Sequence, residues 1–93
     1  MSDDTRNAIQ LEQGDNVATL LRAVEAGGSV DTGLTRIKAT ESIPLCHKIA
    51  LVDLPSGAEV IKYGMVIGET TRPIAKGSHV HVHNMQSLRG RER

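Results

Sequence analysis

The 93-residue chain has no phenylalanine and no tryptophan, and Tyr63 is its only tyrosine. Rings supply much of the area that a small domain can bury, so this core must be built from Val, Ile, Leu and Ala. A chain of this length keeps a large share of its surface exposed in any case. The shortage argues against an aromatic-lined ligand pocket within the chain alone, and creates an expectation that a larger partner or a second copy covers part of it. Cys46 is the only cysteine, so there is no intrachain disulfide, which excludes a stapled secreted scaffold. No apolar run approaches the roughly 20 residues that span a bilayer. The opening MSDDTRNAIQLEQGD lacks the basic start and apolar stretch of a signal peptide, and a cytoplasmic location is the expectation. Eleven basic residues balance eleven acidic ones, so no basic field points to nucleic acid. Phosphate loops, nucleotide fingerprints and cysteine clusters are absent too.

What is present falls into three parts. Residues 1–14 are polar, with Ile9 and Leu11 as their only large apolar groups, and read as a flexible arm or a segment ordered by a partner. Residues 87–93, SLRGRER, read as a basic tail, and residues 15–86 as the folded body. Within that body AVEAGGSV, DLPSGAEV and PIAKGSHV share one pattern. An aliphatic residue (Val24, Leu54, Ile74) is followed three positions later by glycine (Gly27, Gly57, Gly77), then by a valine three further on. ESIPLCHKI fits as a fourth copy with Cys46 in the glycine place. Glycine permits a positive φ in a tight connection, so each copy reads as strand, turn, strand. DNVATLLRAVEAGG competes with this: Val17, Leu20, Leu21 and Val24 recur at helical spacing between an Asp15 N-cap and a Gly27 C-cap. The repeat outweighs that periodicity, and residues 16–21 are expected as a strand. KIALVDL, EVIKYG, MVIGETT and HVHVHN are short, β-branched and bounded by turn formers. The fold class is all-β.

Three of the four histidines stand at alternate positions, His79, His81 and His83. On a strand they share one face, with neighbours roughly 6.5–7 Å apart along the chain. Two adjacent imidazoles can reach one divalent ion at about 2.0–2.1 Å per bond, whereas three spread over roughly 13 Å cannot easily do so. The alternative is a solvated polar face. His47 beside Lys48 suits carboxylate binding, or proton transfer near neutral pH. Lys62 and Tyr63 offer an ammonium and a phenol, the alternatives being a solvated lysine and a core ring. Asn84 can fix a loop or bind a substrate hydroxyl.

Three motifs in order carry a resemblance: Ile43–Lys48 (IPLCHK), Lys62–Gly68 (KYGMVIG) and Gly77–Asn84 (GSHVHVHN). Together they are similar to the small subunit, or N-terminal domain, of the altronate and galactarate dehydratases and of sulfolactate sulfo-lyases. Where that family usually has glycine, this chain has Cys46. The resemblance implies a SAF-type β-clip of short crossing strands, and a domain that is inactive alone and works with a large dehydratase subunit. Loss of water from a sugar acid, with Fe(II) or Mn(II), is the implied reaction. Carried over by motif, His47 is the catalytic residue, Lys48, Lys62, Tyr63 and Asn84 bind substrate, and His81 and His83 bind metal, with His79 a bystander. The competing expectations are a non-catalytic sugar-acid or metal binding module and an assembly domain of the same fold.

Overall fold

The computed structural model describes residues 5–87. Nine short strands follow one another: β1 (Ala8–Ile9), β2 (Val17–Leu20), β3 (Ser29–Asp31), β4 (Arg36–Lys38), β5 (Lys48–Ala50), β6 (Glu59–Lys62), β7 (Met65–Thr70), β8 (His79–Val80) and β9 (Met85–Ser87). No helix occurs among the described residues. The strands form a four-stranded sheet in the order β1-β2-β5-β8, a β3-β4 hairpin, and a three-stranded β6-β7-β9 sheet. Every pairing is antiparallel.

The all-β expectation holds, and so does the strand at its contested place. Side chains alternate across a strand, and β2 uses both faces: Ala18 and Leu20 enter one hydrophobic cluster while Val17 enters the other. β5 divides likewise, with Ile49 in the first cluster and Ala50 in the second. The central sheet therefore runs between two small aliphatic cores. Leu21, which completes the helical spacing in the sequence, is left 48% exposed. Asp15 is no helix cap. Its buried carboxylate accepts N–H bonds from Leu11 and Glu12 at 3.1 Å and from Gly64 at 2.8 Å. Burial alone would raise its pKa, but the backbone donors outweigh this and hold it below the ordinary carboxylate value.

The repeat is structural. Each copy is a turn closed by an N–H bond from its fourth residue to the carbonyl of its first: Gly28 to Glu25, His47 to Pro44, Ala58 to Pro55 and Ser78 to Ala75. The third residue of each has positive φ, 85° at Gly27, 81° at Gly57, 88° at Gly77 and 73° at Cys46. That is the conformation a type II turn demands. The aliphatic residues that open the copies pair off as two isolated bridges, Val24 with Ile43 and Leu54 with Ile74. In each bridge both N–H groups bond across, at 2.7–2.9 Å. Strand–turn–strand units thus cross in pairs, which gives the compact arrangement of short strands that the sequence suggests.

One strand lies within the segment expected to be an arm. Residues 5–14, assigned to an arm, contain β1, which pairs Ala8 with Leu20 and Ile9 with Thr19. A two-residue strand is too short to show a periodicity, so composition alone hides it. The start of the arm (residues 1–4) and nearly all of the tail (residues 88–93) lie outside the described residues.

Candidate functional site

Three imidazoles meet at one edge of the central sheet. His47 is delivered by the Cys46 turn as the chain enters β5, and His79 opens β8, which pairs with β5. His47 Nδ1 and His79 Nε2 are 2.7 Å apart, a hydrogen bond between residues 32 positions distant in sequence. His81 stacks on His47 with ring centroids 3.8 Å apart and planes 15° from parallel. One nitrogen from each of the three lies within 4.8 Å of the others, and all three residues are half-buried.

The alternation of histidines does not continue as a strand. β8 ends at Val80, and residues 81–84 turn back toward β9. Asn84 makes this turn: its Oδ1 accepts from the His81 N–H at 2.9 Å, and its Nδ2 donates to the His79 carbonyl at 2.7 Å. The Asn84 side chain is buried, so its amide is committed to the backbone that carries the histidines. The turn swings His81 toward His47 and leaves His83 exposed, touching only the His79 ring at 4.9 Å among the ring contacts. The histidine expected to be a bystander, His79, stands inside the cluster, and His83, expected to share an ion with His81, stands outside it. Sequence spacing could not show this, because His47 arrives from another strand.

Burial lowers the pKa of His79, helped by His83 and His47 and opposed by Glu41. Burial lowers that of His81 as well, followed by the nearby charges of His47, Lys48 and His83. Both rings are therefore neutral over a wider pH range than free imidazole. Lys48 is half-buried on β5, directly opposite Thr19 and Val80. Burial, then repulsion from Lys62, lowers its pKa. Lys62 ends β6, and its Nζ lies 5.0 Å from the centroid of the Tyr63 ring. Tyr63 is neither in a strand nor in the core: with Gly64 it forms a two-residue hairpin loop, φ 55° and 78°, as a type I′ turn requires. Among the described residues, two buried side-chain polar atoms lack a hydrogen-bond partner, His81 Nδ1 and Thr19 Oγ1. Thr19 had no signal in the sequence; its interest comes only from standing across from Lys48.

The three imidazoles, one with an unpartnered nitrogen, fit a divalent ion by donor chemistry and by spacing. The site is an open patch. The hollows flanking the two bridges, about 500 Å³ around Leu54 and Ile74 and about 300 Å³ around Val24 and Ile43, are lined without any histidine. Leu45 and Val82, on the two turns that carry the cluster, are 54% and 82% exposed.

An all-β body of crossing strand–turn–strand units, with three imidazoles gathered at one sheet edge, defines the class. The chain belongs to the altronate/galactarate dehydratase SAF domain family, whose model matches residues 6–88. It is 38% identical over 79 residues to altronate dehydratase of Escherichia coli (strain K12), covering 85% of this chain and 16% of that protein. It is 40% identical over 74 residues to galactarate dehydratase (L-threo-forming) of the same organism, covering 77% of this chain and 14% of that one. With (2R)-sulfolactate sulfo-lyase subunit alpha of Chromohalobacter salexigens it shares 41% identity over 54 residues, 58% of this chain and 57% of the subunit. The chain thus spans about one-sixth of the length of the dehydratases it matches. No helix among the described residues is long and apolar enough to cross a membrane.

Proposed function

We propose that this chain is the small part of a hydroxy-acid lyase, working with a larger catalytic body to eliminate water from a sugar acid. The single observation that supports this most is the His47–His79–His81 cluster beside Lys48, displayed on an open edge rather than enclosed. Altronate and galactarate dehydratases carry the matching segment within a much longer chain, whereas the sulfo-lyase relatives have it as a separate subunit alpha. In this reading a second body covers that edge. Exposed Leu45 and Val82 suit such a contact, since apolar groups beside a polar site favour being covered.

Each residue has a part in this reading. The ammonium groups of Lys48 and Lys62 attract the carboxylate of the acid, and their mutual repulsion is relieved when an anion sits near both. Tyr63 holds Lys62 by its ring face. Without an ion, His47, with Nδ1 engaged by His79, has its second ring nitrogen left to carry a proton to or from the substrate; with an ion held, His47 serves as a ligand instead. Asn84 contributes by ordering the histidines rather than by touching substrate. A divalent ion, Fe(II) or Mn(II) in the family expectation, would be held by the imidazoles and would supply the Lewis acidity that makes a proton beside a carboxylate removable.

The test is to co-express the chain with a larger dehydratase body and assay a panel of hydroxy acids. The expected result is a keto acid formed by the assembled enzyme and none by the 93-residue chain alone. An isolated chain that turns over altronate would refute the division of labour.

A further inference from the structure

We propose that His47, His79 and His81 form a transition-metal site complete within this chain, loaded without ligands from any larger body. It deepens the lyase reading, on which only the catalytic use of the ion rests. The geometry of the site stands by itself.

Three imidazole nitrogens around a tetrahedral ion, each at about 2.0–2.1 Å, lie roughly 3.3 Å from one another. Here one pair is at 2.7 Å and all three nitrogens fall within 4.8 Å. Loading turns the His81 ring out of its stack on His47, because near-parallel rings with centroids 3.8 Å apart cannot both aim an in-plane lone pair at one ion, while His47 and His79 part slightly. The short His47–His79 contact has one proton between two nitrogens, and an ion takes the place of that proton. His81 Nδ1 has no partner at all, and an unsatisfied buried polar group costs about 1–3 kcal/mol. Binding an ion answers both features.

The backbone beneath the rings is already fixed. Glu41 Oε2 accepts from the His79 N–H at 3.1 Å, and Asn84 ties the His81 N–H to the His79 carbonyl. His47 is fixed by its turn, with its own N–H on the Pro44 carbonyl at 3.2 Å. Pre-ordered ligands bind more tightly because less freedom is lost on loading. Three protein ligands also leave at least one position free, as catalytic rather than structural sites do.

The donor set sorts the ions. Imidazole suits zinc, cobalt, nickel, copper and iron, whereas magnesium and calcium prefer oxygen. Affinity should rise from Mn(II) through Fe(II) and Co(II), with Zn(II) tighter than Mn(II). In the loaded chain His47 is occupied as a ligand, and proton transfer passes to a group of the larger body.

Titration of the purified 93-residue chain with Co(II), followed by its visible d–d absorption, tests this. One equivalent should bind, with Zn(II) displacing it and Mg(II) failing to. His47→Ala and His79→Ala should each weaken binding by more than the 10–100-fold typical of losing an outer-shell partner. His83→Ala should leave it essentially unchanged, and His79→Gln keeps a polar group there should His79→Ala fail to fold. No Co(II) binding by the wild-type chain overturns the site. Loss of binding in a folded His83→Ala chain with none in His79→Ala also overturns it, and returns the ion to the His81–His83 pair. The lyase reading falls on a different readout, the absence of elimination by a metal-loaded assembly.

Discussion

Replacing Cys46 by glycine should make the protein more stable. Cys46 holds the turn position taken by glycine in the three sister turns, at φ 73°. The left-handed region costs an L-residue about 1–2 kcal/mol, while glycine loses about 0.5–1 kcal/mol of chain entropy relative to alanine. The exposed Cys46 side chain adds little packing to set against that difference. Cys46→Gly should therefore gain about 0.5–1 kcal/mol, or roughly 3–6 °C in Tm for a domain of this size. The reverse change in a sister turn should do the opposite. Gly57→Ala meets only Glu69 Oε2, at 3.8 Å, so its loss of ~1 kcal/mol isolates the backbone term. Gly77→Ala also drives its Cβ into the Lys38 carbonyl oxygen and should cost more than Gly57→Ala. Calorimetric melts under reductant would read all three. A Cys46→Gly protein less stable than wild type would refute the equivalence of the four turns.

Two further perturbations follow from buried polar residues that bind the backbone. Asp15→Asn replaces a carboxylate that takes three backbone N–H bonds and should cost about 2 kcal/mol in urea unfolding at neutral pH. The folded pKa of Asp15 is depressed, so its contribution is fully present above the unfolded value and lost as pH falls through the lower, folded one. Wild-type stability should therefore decline below about pH 4, with a shallower decline in Asp15→Asn; identical pH slopes would contradict this. Asn84→Ala leaves the His81 N–H and the His79 carbonyl without their partner and should cost about 1–3 kcal/mol. It should also weaken the ring-current shifts and NOEs between His81 and His47 that their stacking produces.

The turns were legible in the sequence because glycine spacing reports a backbone need, and the fourth copy survived even with cysteine in the glycine position. The strand at Val17–Leu20 was legible for the same reason, although its burial on both faces imitates a helical stripe over a short window. β1 was not, since two residues carry no period. At the site, a strand period groups His81 with His83, whereas the structure groups it with His47 and His79. The strand ends at Val80, three residues before the last histidine expected on it, and β5–β8 pairing brings His47 across 32 positions. Local spacing carries no information about a partner from another strand. The lysine pair was visible as residues and not as a pair, because Lys48 and Lys62 are brought near one another only by the packing of separate sheets.

The central claim, that this domain supplies the imidazole cluster of a hydroxy-acid lyase, is tested most directly in a chimera. Residues 6–88 would replace the matching segment of the Escherichia coli altronate dehydratase, and keto-acid formation from altronate would be measured with and without His81→Ala. The account predicts turnover by the chimera and its loss in the folded His81→Ala form. A chimera whose activity is unaffected by His81→Ala would contradict it.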